Sequence, residues 1–294
     1  MKRNLINTVV AAICISCMAT ATALPSKDGY SLVWEDNFEG DSLNRRFWNV
    51  EVNGSGCGNN ELQYYIDSPE NVGVSNGNLV LTAVRRPYKE RNFTSGRINT
   101  LGKVGFTYGI IEASIRLPET SDGLWPAFWM MGDDIRQNGW PKCGETDILE
   151  MGHADGIKAG SQDRLFNGAL HWGESPRDHR QLVGPRTNGY SLQDGKYHTY
   201  TVVWTPERIS MFVDDDTVPY LDADISGQNE KNAYFHKANF LLFNLAIGGN
   251  FPGIHDAEGV TALGKEGKAS MEVDYVRVYQ KDKNLSLNTL KSKK

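Results

Sequence analysis

The sequence predicts an all-β protein, a sandwich or barrel of antiparallel strands built as one domain. Three observations carry that expectation. Short runs rich in Val, Ile, Thr and aromatic residues recur along the chain, broken by Gly, Asn, Asp and Pro, as strands and tight turns do. No stretch of useful length shows the 3.6-residue apolar period of an amphipathic helix. The 294 residues are 39% hydrophobic, 10% aromatic and 23% charged, an ordinary globular composition. All-β sandwiches of about 200–250 residues commonly form a single domain, and no internal repeat or interdomain linker interrupts this chain.

Taken in order, residues 1–23 read as a secretory signal. Lys2 and Arg3 supply the positive start, Leu5 to Met18 is an apolar run too short for a comfortable membrane span, and Ala21-Thr22-Ala23 is a small-residue cleavage site. A membrane anchor, or lipidation at Cys17, is the alternative. Residues 24–280 form the single domain. Ser31 to Trp34 opens it, and Asn78 to Val84 follows an Asn76-Gly77 turn. Tyr108 to Leu117 alternates, with Ile111, Ala113, Ile115 and Leu117 on one face and Glu112, Ser114 and Arg116 on the other. His198 to Trp204 and Arg208 to Asp214 read as a hairpin around Thr205-Pro206-Glu207, and Phe240 to Ile247 and Met271 to Tyr279 as late strands. Residues 281–294 are polar and basic, a tail expected to fray; a polybasic surface tether is the other reading.

The chemistry lies in Gly144-Glu145-Thr146-Asp147-Ile148-Leu149-Glu150-Met151. Strands alternate faces with a period of two, so Glu145 and Asp147 share a face while Glu150 would point away. One β-bulge between Asp147 and Glu150 restores the parity and lines all three acids on one surface. Two carboxyl groups flanking a glycosidic bond are the working parts of most glycoside hydrolases. Retaining enzymes hold them about 5–5.5 Å apart. Outer acids two same-face steps apart on a flat strand are too distant, so a concave sheet is expected. The charge of Asp147, in the middle, would raise the pKa of a neighbour. A metal site or a solvated acidic edge is the competing reading. The apolar residues between the acids argue against an edge, and Ca²⁺ loops are richer in Asp, Asn and Gly.

Glu145-Thr146-Asp147-Ile148-Leu149-Glu150 resembles the bulged Glu-x-Asp-x-x-Glu signature of glycoside hydrolase family 16. The stretches 109–118 and 123–132, Asn59 to Tyr65, Ser95-Gly96-Arg97-Ile98, Asn244 to Asn250 and Val273 to Tyr279 resemble the laminarinase-like branch, which cuts β-1,3-glucans. The resemblance covers roughly residues 30–280. It implies a β-jelly-roll of two antiparallel sheets and a retaining double displacement. Glu145 would be the nucleophile, Glu150 the acid/base and Asp147 the assisting acid. Asn60, Arg97, Trp125, Trp129 and His171 match sugar-subsite positions. The resemblance further implies a structural Ca²⁺ on Glu39, the Gly77 carbonyl and Asp274, and no cofactor for catalysis. Thr146 stands where Ile is common and Phe251 where Trp often follows the Gly-Gly-Asn run.

The remaining features bound the reading. Trp125 and Trp129 share strand parity and are expected to offer indole faces to sugar rings. Trp34, Trp48, Trp140, Trp172 and Trp204 are expected in the core. His171, in a short apolar run, is expected to face the acids or to be a satisfied core histidine, and His153 carries no functional expectation. A net charge of −5 and the absence of a basic patch exclude a nucleic-acid partner and suit a neutral polymer, β-glucan, bound by a monomer. Of four cysteines, Cys14 and Cys17 fall in the signal. Cys57 and Cys143 flank the cleft motifs, where export permits a disulfide and two free thiols are the alternative. The expected activity is that of a secreted endo-β-1,3-glucanase, with mixed-linkage glucan as a further substrate. An agar-type galactan hydrolase, a transglycosylase and a non-catalytic glycan-binding jelly-roll are the alternatives.

Overall fold

The computed structural model describes residues 27–282 except Gln228, Lys265 and Glu266, together with the backbone of 285–287. The segment expected to be a signal, Cys14 and Cys17 included, and residues 288–294 lie outside the described residues.

The strands stack as two sheets in a jelly-roll sandwich. One sheet has ten strands. Its spatial order is Leu221–Asp224, Arg208–Val213, His198–Trp204, Gly109–Arg116, Lys268–Gln280, Asn78–Val84, Phe93–Ser95 and Gln63–Tyr65, with Ser31–Asp36 and Val72–Ser75 paired at its side. The nine-stranded sheet runs from Arg180–Thr187 through Leu165–Trp172, Glu145–Met151, Leu124–Gly132, Asn239–Ile247 and Arg97–Asn99 to Asn49–Val50. Pairing is antiparallel except between Gln63–Tyr65 and Phe93–Ser95. Among the described residues, helix is confined to short pieces such as Ile135–Asn138 and Ala154–Ala159. Spatial neighbours are often distant in sequence, so each sheet closes only when the chain crosses between the two.

Alternation explains the core. Phe128 and Met130 point inward from Leu124–Gly132, and Leu241, Phe243, Leu245 and Ile247 from its neighbour. They meet Ile111, Ala113 and Ile115 from the other sheet in one apolar cluster. Phe128 and Phe243 are register partners and stack with centroids 4.6 Å apart at 8°, a pair worth about 0.5–1.5 kcal/mol beyond its buried area. Strand Gly109–Arg116 keeps the expected alternation, but its polar face is covered too. Glu112 is buried under Lys27 (2.6 Å) and the hydroxyl of Tyr279 (3.2 Å).

The tail differs from the sequence expectation. Leu285–Leu287 pairs antiparallel with Val104–Phe106 and extends the nine-stranded sheet. Those three residues follow a polar stretch whose composition hides them. An unpaired neighbouring strand edge, invisible in sequence, supplies the partner.

Candidate active site

The central strand of the nine-stranded sheet, Glu145–Met151, carries the predicted bulge. Towards Leu124–Gly132, Asp147 pairs with Trp129 and Leu149 with Phe128, so Ile148 has no opposite residue. On the other side, Asp147 pairs with Ala169 and Glu150 with Asn167, again one residue in excess on the acid strand. Ile148 and Leu149 are therefore both fully buried in the core, as is Thr146, and Glu150 returns to the face of Glu145 and Asp147. A bulge leaves a ladder carbonyl unpaired. Here the Tyr220 hydroxyl donates to the Ile148 carbonyl oxygen. Tyr220 reaches it because residue 168 is glycine: a Cβ there would lie 2.7 Å from the Tyr220 ring and 2.6 Å from the Met211 sulfur.

The three acids line a cleft of about 710 Å³. Burial pushes Glu145 up to about 8, helped by the Asp147 charge and opposed by His171 and Arg97. Burial likewise raises Asp147, to about 8. Glu150 is pushed well above the ordinary carboxylate range by burial, then by the charge of Asp147, with Glu145 adding to it. Like charges this close resist joint ionisation, so the group holds protons at neutral pH. The Trp125 indole donates to Glu150 Oε1 at 3.1 Å. His171 faces the acids, with Nε2 3.2 Å from Asp147 Oδ2 and 4.0 Å from Glu145 Oε1. The nearer contact is out of hydrogen-bond alignment, which leaves the buried Asp147 Oδ2 without a partner. Among the described residues, Glu145, Asp147 and His171 form the one group of three such side chains close enough to hold a metal ion. Their burial favours protonated acids, which are poor metal ligands.

The walls follow the sequence expectation in most respects. Trp125 and Trp129 both line the cleft. Trp129 donates its indole proton to Asn244 Oδ1 at 2.7 Å, and the Arg97 guanidinium lies over its ring at 4.8 Å. Arg97 is anchored by Glu51 at 3.0 Å. Phe251, in place of the usual Trp, stacks on Trp125 at 4.7 Å and 9°. Asn60 donates to Asn250 Oδ1 at 3.0 Å beside the cleft, tying together the two loops at that end.

Three ring-bearing residues of the cleft escaped the sequence reading. Trp140 was expected in the core. It is 37% exposed and lines the cleft, where its ring packs against His171 and His179. It lies in the connection before the acid strand, where strand parity says nothing about direction. The other core tryptophans are buried as expected. His153 accepts from the Asp155 backbone N–H at the start of a short helix and packs edge-on against Phe251, so it too forms wall. His179 was not singled out, although its spacing of eight residues from His171 across a Gly- and Pro-containing turn was a usable signal. Cys57 and Cys143 are both free thiols, so no disulfide ties the cleft loop to the acid strand.

The residues expected to hold calcium belong to the ten-stranded sheet and its connections, not to the cleft sheet. Val273 pairs with Leu79, which puts Asp274 beside the Gly77–Asn78 turn, and Asp36 pairs with Val276, which brings the Glu39 segment alongside. Both carboxylates are exposed. Two carboxylates and a backbone carbonyl are hard oxygen donors of the kind Ca²⁺ takes.

Paired, buried, proton-sharing acids in an open cleft walled by indoles place the molecule among the enzymes that cleave glycosidic bonds. Comparison with known proteins gives the family. The profile of glycosyl hydrolases family 16 matches residues 59–258, and the chain belongs to that family. It is 34% identical over 280 residues to glucan endo-1,3-beta-glucosidase A1 of Niallia circulans, covering 87% of this chain but only 39% of that protein. It is 34% identical to a glucan endo-1,3-beta-glucosidase of Cryptopygus antarcticus, covering 84% of this chain and 90% of the relative. Among solved structures, a mixed linkage glucan family 16 protein of Bacteroides ovatus, in complex with product, superposes with a TM-score of 0.76 at 41% identity, covering 84% of this chain and 100% of that one.

Proposed function

We propose that the protein is a retaining endo-β-glucanase that hydrolyses β-1,3-glucan and also accepts mixed β-1,3/1,4-glucan. One observation carries the reading: the bulge at Ile148 delivers three buried acids to one cleft face, with Glu150 held protonated. His171 and Arg97 favour the ionised form of Glu145, which is the member of the group that gives up its proton; its carboxylate oxygen attacks the anomeric carbon while Glu150 gives its proton to the departing glycosidic oxygen. A glycosyl ester on Glu145 results. Esterification removes the Glu145 charge that helped to hold the Glu150 proton, so Glu150 becomes the stronger acid and, now ionised, serves as base for the incoming water. Water adds to the anomeric carbon, its proton passes to Glu150, and Glu145 leaves as carboxylate. Asp147, between the two, holds the charge balance of the pair.

The names of the relatives support a β-glucan substrate. The lining supports a neutral one. Among the cleft-lining residues Arg97 is the one lysine or arginine, and Glu51 already neutralises it, whereas a sulfated galactan calls for several free cations. In the same reading the chain is exported through residues 1–23 and works as a monomer. N-terminal sequencing of the secreted protein and size-exclusion chromatography test those two points.

The deciding experiment follows product release from laminarin, mixed-linkage β-glucan and agarose with wild type and Glu145→Gln. Release from laminarin by wild type, lost by at least about 10³-fold in the variant while polymer binding persists, is expected. Release from agarose alone would transfer the protein to the galactan-cutting branch. Binding without release would make it a lectin, and longer products in place of free ends would make it a transglycosylase.

A further inference from the structure

We propose that His179 is a positioning residue for the reaction: its imidazole holds the His171 ring so that an Nε2–H is kept on the side of Asp147 and Glu145. The inference rests on the catalytic reading of the three acids and adds a residue that no motif contributed.

The geometry is specific. His171 Nδ1 and His179 Nε2 are 2.9 Å apart. The ring planes differ by 24° and the centroids are 5.1 Å apart. A separation that long with nitrogens that close means rings joined edge to edge, almost coplanar, through one N···N hydrogen bond rather than stacked face to face. On the far side of His171, Nε2 sits 3.2 Å from the buried Asp147 Oδ2, close to it but outside hydrogen-bond alignment, and that oxygen has no hydrogen-bond partner. A neutral imidazole has one N–H and one bare nitrogen. If His179 donates through Nε2, the bare nitrogen of His171 is Nδ1 and its proton must be on Nε2, facing the acids. If His171 takes a second proton, His179 shifts tautomer and accepts from Nδ1–H, and Nε2–H still faces the acids. Both of these states keep an N–H on the acid side so long as His179 itself stays neutral; the reverse pair, with His171 Nδ1–H donating to a bare His179 Nε2, leaves His171 Nε2 bare, and the ¹⁵N spectra distinguish it. Burial and the His171 charge both hold His179 below its ordinary value, which favours that neutral form.

The loop that presents His179 is built to hold it. Trp140 packs on its ring at 4.7 Å. Gly173, at φ +139°, lets the chain double back: a Cβ there would lie 2.1 Å from the Asp178 carbonyl oxygen. Lys142 clamps Glu174 at 2.7 Å and ties this loop to the Trp140 segment. The ionisable groups around the pair are Glu145, Asp147 and Glu150 from the acid strand, and Glu174, Asp178 and Arg180 from the loop. Glu174 is paired to Lys142, and Arg180 to Asp178 and Glu230.

The test compares wild type with His179→Phe and His179→Gln on laminarin across pH. Phe keeps a flat ring against Trp140 but cannot hydrogen-bond; Gln offers both a donor and an acceptor. For His179→Phe, kcat is expected to fall about tenfold with KM within about twofold, as for other outer-shell partners of a functional histidine. The acid limb should also move to higher pH, because His171 lowers the Glu145 pKa and loses its fixed position. His179→Gln should recover most of both. A His179→Phe enzyme with wild-type kcat and pH profile, or Phe and Gln variants equally impaired, overturns the proposal. Imidazole ¹⁵N spectra give an answer that needs no substrate. His171 should be the Nε2–H tautomer in wild type and a mixture in His179→Phe, and identical tautomers in both would reject the role of His179. Failure of wild type to cut any glucan, with the tautomer shift present, would instead count against the catalytic reading alone.

Discussion

At the residue scale, the three cleft acids are placed where the fold alone would not put charge. Glu145 rises from an ordinary 4.5 to about 8, with burial as the first cause. A group whose folded pKa is raised is at no disadvantage below its unfolded value, where both states are protonated. It costs stability progressively as pH climbs towards the folded value, because the folded protein must keep a proton that the unfolded chain releases. Glu145→Gln should therefore stabilise the protein little at pH 4 and increasingly up to pH 8. A gain of roughly 1–3 kcal/mol is expected, at about 2–4 °C per kcal/mol for a domain of this size. Differential scanning fluorimetry from pH 4 to 9 measures it; a pH-independent difference would show that Glu145 is not held above its ordinary pKa. The identity and face of all three acids were legible in the sequence, because parity on a strand is a short-range rule. Trp140 and His179 were not, because both lie in connections whose side chains have no parity to follow.

At the element scale, the bulge is the feature on which the site depends, and it has its own supports. The sequence required one additional residue between Asp147 and Glu150, and the register shows one. What stabilises it lies more than seventy residues away, in the Tyr220 hydroxyl that satisfies the Ile148 carbonyl. Tyr220→Phe removes that donor and leaves a buried carbonyl unpaired, at an expected cost of about 1–3 kcal/mol. Urea unfolding measures the loss, and a Tyr220→Phe protein as stable as wild type would show that the carbonyl finds another partner. Gly168, which reads in sequence as a mild strand-breaker, has its reason only here, in the space it leaves for that ring.

At the scale of the whole molecule, the two sheets divide the labour. The nine-stranded sheet carries the cleft. The ten-stranded sheet places the Glu39 segment and the Gly77 turn beside the strand of Asp274, which comes from the far end of the chain. With Ca²⁺ there, chelation should lower the unfolding temperature by several degrees, since a ligand bound only to the native state stabilises by about 2.7 kcal/mol at a hundred times its Kd. Activity per folded molecule should be unchanged. Thermal unfolding in EDTA with and without added Ca²⁺ measures this, and identical curves would argue against the site.

The sequence by itself determined the all-β class, most of the strand spans, the acid face and the expectation of a neutral glycan cleft. These rest on local alternation and on residue chemistry, which act over a few positions. Tertiary structure alone decided that Cys57 and Cys143 stay apart as free thiols. It also decided that residues 285–287 close onto a strand edge, that Trp140 turns into the cleft, and that His179 meets His171 edge to edge. Each of these depends on the distance between segments remote in the chain, and that distance exists only once the two sheets have packed.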